Sequence, residues 1–172
     1  MVPDELTFNI VVLGDEGVGK TALITEIVNR DWGCDGEGVR HNFRPKYQPT
    51  IGIQIYTKYF PHSHEDKNAK INIWDTSGKI FYEQLTSSLY EQADAVVIVF
   101  DVNNDRSFQN ATSKWLVNFR RKMISPFGRK SRIMLVGNKI DAQMLEFTDD
   151  YELSTKASKS DVSHWVRECN IW

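Results

Sequence analysis

The chain has few cysteines, no long apolar run and little net charge. Each of these three features excludes a class of protein. The two cysteines, Cys34 and Cys169, lie far apart without metal-binding spacing, which suits a reducing compartment and two unpaired thiols. No run approaches the roughly eighteen apolar residues that a membrane span requires. The formal net charge of −2 gives nucleic acid no overall attraction. We therefore expect no disulfide scaffold, no membrane span and no nucleic-acid partner.

The two ends of the chain carry none of the common targeting signals. The first residues, MVPDELTF, lack the basic and apolar regions of a secretory signal. Met1-Val2 does not begin a myristoylation site, and the last four residues, Cys169 to Trp172, are not a prenylation box. We expect a soluble cytoplasmic protein without an encoded lipid anchor, which would reach membranes only through partners.

Apolar strand patterns and helical patterns alternate along the 172 residues, which predicts a mostly parallel sheet with helices on both faces. The expected strands cover 6–13, 51–60, 70–75, 95–101 and 132–137, and the expected helices cover 20–30, 80–92, 105–124 and 154–168. The segment from 51 to 70 looks like a hairpin, which would add one antiparallel edge strand. The predicted fold class is α/β, in one domain over residues 1–172.

The segment after the first predicted strand has the spacing of a phosphate-binding loop. Gly14, Gly19, Lys20 and Thr21 match the GxxxxGK[ST] pattern, between a strand and the start of a helix. Glycines let the backbone curl until several N–H groups point at one anion, and the helix adds the positive end of its dipole. Lys20 would reach the outer phosphates, and the Thr21 hydroxyl would bind Mg²⁺. The alternative is a glycine-rich turn without a ligand. The expected binding residues are Glu16, Gly17, Val18, Gly19, Lys20, Thr21 and Ala22.

Two further polar segments lie near the ends of loops and strands. Thr50 follows a long irregular segment from Trp32 to Gln48, and it is either an ordinary hydroxyl at a strand start or a ligand. Asp75-Thr76-Ser77-Gly78 ends the third predicted strand, and it is either a turn or part of a site. In a site, Asp75 could hold the water shell of magnesium and the Gly78 N–H could approach a terminal phosphate.

The last predicted strand is followed by Asn138-Lys139-Ile140-Asp141. The Asp141 carboxylate can accept two hydrogen bonds from the donor edge of guanine, an edge that adenine lacks. Asn138 can hold the base from the side, and Lys139 can lay its methylene groups over the ring. A bare NKxD occurs by chance in loops, but chance explains it poorly at a strand end of a sheet whose first loop binds phosphate.

Apolar side chains at helical spacing predict the packed face of the third helix. They are Phe108, Ala111, Trp115, Leu116, Phe119 and Met123. A basic cluster follows, either a solvated face or a partner surface, formed by Arg120, Arg121, Lys122, Arg129, Lys130 and Arg132. Asp94 and Asp101, at the ends of the apolar strand 95–101, are expected to be solvated turn residues.

Four motifs in this order resemble the small GTPases of the Ras superfamily: GDEGVGKT, PT at 49–50, DTSG at 75–78 and NKID at 138–141. Further details resemble Rab proteins, namely PTIGIQIY, Trp74 before DTSG, DVNNDRSFQN and KWL at 114–116. The resemblance implies a P-loop NTPase sheet that binds GTP or GDP with Mg²⁺, and two switch segments that order around the γ-phosphate. It also implies effector, exchange-factor and GTPase-activating partners through residues 39–55 and 76–92.

The same resemblance assigns roles to individual residues. Thr50 would bind magnesium in the triphosphate state, Asp75 would act on the metal through water, and Gly78 would meet the γ-phosphate. Phe43 would stack on guanine, with Trp32 as the alternative, and Tyr47 would lie over the phosphates. In this interpretation Thr21, Thr50 and Asp75 form the metal set, while Thr50 and Gly78 serve catalysis.

The chain also departs from the family pattern. Lys79 stands where the family usually has the glutamine that orients the attacking water, and an ammonium cannot accept a hydrogen bond from water. Glu16 places a carboxylate in the phosphate loop, where the family prefers a small residue. The segment before Phe43 is longer than the family norm, and the final strand and helix are missing, through truncation or in a reduced domain.

The sequence therefore predicts a guanine-nucleotide-dependent switch in intracellular trafficking or signalling, whose GTP hydrolysis is slow or depends on a partner. The alternative is a GTP-binding scaffold that does not hydrolyse the nucleotide. A third interpretation, a P-loop kinase or ATPase, is disfavoured because Asp141 selects guanine.

Overall fold

The computed structural model describes residues 6–29, 48–61, 68–123 and 131–140. Several sequence predictions lie outside these residues: Trp32, Phe43, Tyr47, Asp141, the basic residues Arg129 and Lys130, both cysteines and the helix at 154–168. Five strands lie close to their expected positions: β1 (Leu6–Leu13), β2 (Ile53–Pro61), β3 (Asn68–Thr76), β4 (Ala95–Asp101) and β5 (Arg132–Asn138).

The five strands form one sheet in the order β2-β3-β1-β4-β5. β1 pairs in parallel with β3 and β4, and β4 pairs in parallel with β5. β2 and β3 pair antiparallel, from Ile53 opposite Thr76 to Pro61 opposite Asn68. The predicted α/β class is therefore confirmed, with one antiparallel edge strand on a parallel sheet.

The helices differ from the prediction in their regularity. They are α1 (Lys20–Asn29), α2 (Glu83–Ser87), α3 (Asp105–Asn110) and α4 (Leu116–Met123). The helix expected at 80–92 is wrong as a continuous element: a 3₁₀ turn at Ile80–Tyr82, the short α2 and a 3₁₀ turn at Tyr90–Gln92 take its place. Between α3 and α4, residues Ala111–Trp115 form a π-helical segment. Among the described residues, no helix is long and apolar enough to cross a membrane.

The sheet buries both of its faces, as alternate residues of each strand point to opposite sides. One face packs on the helix that runs from α3 to α4, with Trp115 and Phe119 each 1% exposed. The other face packs on α1 through Ile24, together with Val12 and Val99. The aromatic residues that the helical spacing assigned to the core are indeed packed there. Arg120, Arg121, Lys122 and Arg132 are exposed.

The two carboxylates at the ends of β4 are structural, which corrects the prediction that they are solvated. Asp94 Oδ2 accepts a hydrogen bond of 2.8 Å from the Asn9 backbone N–H on β1. Asp101 Oδ1 accepts from the Asn103 backbone N–H at 2.9 Å, and its Oδ2 pairs with Lys139 Nζ at 2.9 Å. Hydrogen bonding to Lys139 and Asn103 lowers the pKa of Asp101 despite the opposing effect of burial.

Phe119→Ala should lower the free energy of unfolding by about 3–5 kcal/mol, since it removes a buried ring and leaves a cavity. The ring is 1% exposed and packs edge-on against Tyr90, with centroids 5.2 Å apart. Urea unfolding followed by circular dichroism measures the change. The matched control is Phe81→Ala, whose ring is 86% exposed and which should change stability little. Equal losses from the two variants would contradict this core assignment.

Candidate functional site

A tight glycine loop joins β1 to α1 at the carboxyl edge of the sheet. Gly14 and Gly19 have φ values of +140° and +97°, a backbone region that residues with a Cβ rarely adopt. A Cβ on Gly14 would lie 2.2 Å from the Val99 carbonyl oxygen, and one on Gly19 would lie 2.3 Å from Asn138 Nδ2. The loop thus passes so close to β4 and to the end of β5 that side chains do not fit at these two points.

The Lys20 side chain is curled into this loop. It is 6% exposed, and its Nζ donates to the carbonyl oxygens of Gly14 at 2.9 Å and Asp15 at 2.8 Å. Burial lowers the pKa of Lys20 to about 8, although Asp75, Asp15 and Glu16 act in the opposite direction. The loop therefore surrounds a poorly solvated cation with neutral acceptors, an arrangement that an incoming anion would stabilise.

Three oxygen-bearing side chains meet next to Lys20. Thr21 Oγ1 lies 2.8 Å from Thr50 Oγ1 and donates to Asp75 Oδ2 at 2.5 Å, while Thr50 Oγ1 lies 3.4 Å from the same carboxylate oxygen. The segment carrying Thr50 is held here by the Ser77 N–H, which donates to the Gly52 carbonyl at 2.9 Å. These are the residues that the sequence predicted as a metal set, and the fold brings all three together.

The Asp75 carboxylate shows that this oxygen cluster fits a magnesium ion. Asp75 is 0% exposed, and its Oδ1 has no hydrogen-bond partner among the described residues. Burial raises its pKa, and the hydroxyls and Lys20 only partly oppose that shift. A hydrated magnesium ion would bring a water donor to Oδ1 and would stabilise the ionised form of the carboxylate. In the part of the chain that the structure describes, no three His, Cys, Asp or Glu side chains are grouped so that they could hold a metal ion by themselves.

Gly78 and Lys79 pack directly against the phosphate loop. A Cβ on Gly78 would lie 2.2 Å from the Glu16 nitrogen and 2.3 Å from the Asp15 carbonyl carbon. Lys79 Nζ lies 3.6 Å from Glu16 Oε1, in an ion pair whose side chains are 44% and 46% exposed. The lysine at the expected glutamine position therefore faces the unusual loop carboxylate.

The end of β5 supports the same loop from the other side. Asn138 Nδ2 donates to the Val18 carbonyl at 2.8 Å, so this side chain braces the glycine loop. Lys139 adopts a positive φ of 64°, its ammonium pairs with Asp101, and its carbonyl accepts from Asn103 Nδ2 at 3.0 Å. These contacts hold the first half of the NKID motif beside the phosphate loop, while Asp141 lies outside the described residues.

Sequence reasoning missed the contacts that anchor the loop to the third helix. Asp15 Oδ1 accepts from Trp115 Nε1 at 2.7 Å, and Asp15 Oδ2 accepts from Asn110 Nδ2 at 2.6 Å. The helical spacing assigns Trp115 only to the core, and no motif gives Asp15 a role of its own. The one signal in the sequence was a carboxylate directly after Gly14, where it must lie close to the site. Ala22, also predicted to bind nucleotide, is half-buried in the first turn of α1.

Comparisons with known proteins show which family and which individual proteins the chain is similar to. A family model described as "Ras family" matches residues 9–170. GTP-binding protein YPTC5 of Chlamydomonas reinhardtii is 36% identical over 132 residues, which is 77% of this chain and 57% of that protein. Ras-related protein Rab-32D of Dictyostelium discoideum is 30% identical over 164 residues, which is 94% of this chain and 61% of that protein. The aligned region thus spans about three fifths of these relatives' length.

Gly19→Ala should destabilise the nucleotide-free protein more than Gly17→Ala does. Both positions have positive φ, +97° and +78°, so both alanines cost about 1–2 kcal/mol of backbone strain. A Cβ on Gly17 meets nothing within 4 Å, whereas one on Gly19 displaces the Asn138 amide from the Val18 carbonyl. Leaving that carbonyl unpaired adds about 1–3 kcal/mol. Urea unfolding of both variants measures the difference, and equal losses would refute the proposed bracing by Asn138.

Proposed function

Because the chain belongs to the Ras family and is a Rab-like small GTPase, we propose that it binds GTP and GDP with Mg²⁺ and acts as a molecular switch in trafficking or signalling. The observation that carries this proposal is the meeting of the Thr21, Thr50 and Asp75 oxygens next to the buried Lys20 ammonium. A cation, a hard-metal donor set and a glycine loop in one place match the demands of a nucleotide polyphosphate.

Each part of the proposed phosphate site has a distinct task. The Lys20 ammonium, which now donates to two loop carbonyls, would donate to β- and γ-phosphate oxygens instead. Thr21 and Thr50 would offer hydroxyl oxygens to magnesium, and Asp75 would orient water in its shell. Magnesium, when bound, neutralises charge on the β- and γ-phosphates. Because Thr50 lies on the segment before β2, nucleotide that engages it would also fix that segment.

Guanine recognition is proposed to use the NKID motif. Asp141 would accept two hydrogen bonds from guanine, and the Lys139 stem would cover the base, next to the loop that Asn138 braces. Phe43 would stack on the base and Tyr47 would lie over the phosphates, as the family resemblance implies. A buried base edge left unpaired costs free energy, so adenine would bind far more weakly.

Hydrolysis is proposed to be slow or to depend on a partner. The position next to Gly78 needs a group that accepts a hydrogen bond from the attacking water, and the Lys79 ammonium only donates. The Lys79–Glu16 pair, at 3.6 Å, also directs this side chain toward the loop carboxylate. The same ion pair favours a second candidate function, a GTP-binding scaffold without hydrolysis, in which Lys79 stabilises bound phosphate.

The proposed partners are effectors, exchange factors and GTPase-activating proteins, which would bind residues 39–55 and 76–92. Within the described parts of these segments, large apolar side chains are exposed: Ile51, Ile55, Ile80, Phe81 and Leu85. Where such exposed apolar side chains form a contiguous patch, they mark a protein-binding surface. A cytoplasmic location, with membrane contact through such partners, fits this proposal.

GTP and GDP should compete for one site while ATP does not compete. Asp141→Ala should abolish this preference, because guanine then loses its two hydrogen bonds. Lys20→Ala should weaken the binding of both nucleotides far more than the control Arg121→Ala does. The Arg121 charge is exposed, so solvent and salt screen its effect on the site. Competition binding with a fluorescent GDP tests all three variants. Equal affinity of the wild type for ATP and GTP, or comparable losses from Arg121→Ala, would contradict the assignment.

Lys79→Gln should raise the single-turnover rate of GTP hydrolysis by about tenfold or more, because glutamine can orient water. The wild type should react no faster than a slow intrinsic GTPase. Glu16→Gln is the matched control: it removes the same ion pair and leaves Lys79 in place, so the rate should stay low. Phosphate release at saturating magnesium gives the hydrolysis rate of all three proteins.

Two other results of this experiment are informative. A low rate together with weakened GTP binding in Lys79→Gln would assign Lys79 to the γ-phosphate and favour the scaffold. Brisk hydrolysis by the wild type would show that Lys79 is no catalytic defect.

A further inference from the structure

The carboxylate of Asp15, in the phosphate loop, is held by two donors from a single helix. Trp115 Nε1 donates to Oδ1 at 2.7 Å, and Asn110 Nδ2 donates to Oδ2 at 2.6 Å. Both partners lie far away in sequence, 95 and 100 residues from Asp15. Each oxygen of the side chain therefore has its own donor, and the carboxylate cannot rotate without breaking both bonds.

The π-helical segment explains how one helix supplies both donors. Asn110 and Trp115 are five residues apart, and in a regular α-helix such residues point about 140° away from each other. In a π segment the hydrogen-bonded turn spans five residues, so positions five apart fall on the same side. The π segment covers Ala111–Trp115, which is the stretch between the two donors. The local helix geometry thus serves the contact with Asp15.

The backbone of Asp15 lies at the centre of the phosphate loop. Its carbonyl oxygen accepts from Lys20 Nζ at 2.8 Å, and its carbonyl carbon is one of the atoms that a Cβ on Gly78 would strike, at 2.3 Å. Fixing the Asp15 side chain therefore fixes the carbonyl that accepts from Lys20 and orients it. It also fixes the surface on which Gly78 packs. Hydrogen bonds to a charged acceptor are stronger and more directional than those between neutral groups.

We propose that Asn110 and Trp115 are positioning residues that act through Asp15 to hold the phosphate loop in its diphosphate-binding shape. This inference rests on the proposed nucleotide binding. The two residues touch no phosphate; they set the orientation of Lys20 and of the loop. They should therefore matter for the affinity gained from the β-phosphate and much less for the affinity gained from the rest of the nucleotide.

The readout is the ratio of GDP affinity to GMP affinity, measured by calorimetry with magnesium present. A variant that only destabilises the fold lowers both affinities and leaves the ratio unchanged. Asp15→Asn and Asn110→Asp should each lower the ratio about tenfold, equivalent to about 1.4 kcal/mol. The first replaces the charged acceptor of both hydrogen bonds by a neutral amide, and the second places two carboxylates face to face.

The double variant Asp15→Asn with Asn110→Asp should restore the ratio to within about threefold of the wild type, a coupling that a double-mutant cycle measures. In it, the new amide at position 15 accepts from Trp115 and donates to the new carboxylate at position 110. Trp115→Phe, which keeps the ring shape and removes only the donor, should lower the ratio as the single variants do. Phe119→Leu, in the same core, is the control and should leave it unchanged.

The outcomes separate this inference from the proposed function. If Lys20→Ala abolishes GDP binding while Asn110→Asp and Trp115→Phe keep the wild-type ratio, the positioning role is overturned and nucleotide binding stands. Lower thermal midpoints with an unchanged ratio would also overturn it, because they indicate a purely structural contact. If Lys20→Ala binds GDP as well as the wild type does, the proposed phosphate site itself is wrong.

Discussion

The rest of the site depends on a positive charge buried at the start of α1. The Lys20 ammonium is 6% exposed and touches the carbonyls of Gly14 and Asp15, and burial lowers its pKa to about 8. Holding a cation among neutral dipoles is costly, so the surrounding backbone must be firmly fixed. β1, the glycine turn and the Asp15 contacts to the third helix provide that rigidity. The energetic cost explains why a polyphosphate would be a favourable partner: it would bring negative charge into direct contact with the ammonium.

The parallel sheet turns this local feature into a site, because the carboxyl ends of its strands meet at one edge. β1 and β3 are in register with Val12 opposite Asp75, and Thr76 Oγ1 donates to the Val12 carbonyl at 2.6 Å. That register places the Asp75 carboxylate beside Thr21. A shift by one residue would turn Asp75 to the other face of the sheet and separate the metal ligands.

Much of the fold could be predicted from local patterns. The run Phe8 to Leu13 is a strand because it is β-branched and apolar, and the helix after Lys20 follows from its 3.6-residue periodicity. Prediction failed where local signals were weak or misleading. One helix is expected at 80–92, but only Glu83–Ser87 is α-helical; α2 and the 3₁₀ turn at Tyr90–Gln92 pack against α4, a contact that local sequence does not reveal. Asp94 and Asp101 looked like solvated turn residues, since their partners Asn9 and Lys139 lie far away in the sequence.

The sequence by itself determined the strand, the glycine turn, the helix start and the order of the motifs, because each depends on neighbouring residues. Only the tertiary structure decided which side chains act together. The bonds from Trp115 and Asn110 to Asp15, the brace from Asn138 to Val18 and the pair of Lys79 with Glu16 all join distant segments. Such contacts arise from strand order, register and a π-helical segment, and these are set by the packing of the whole domain, which no local pattern encodes.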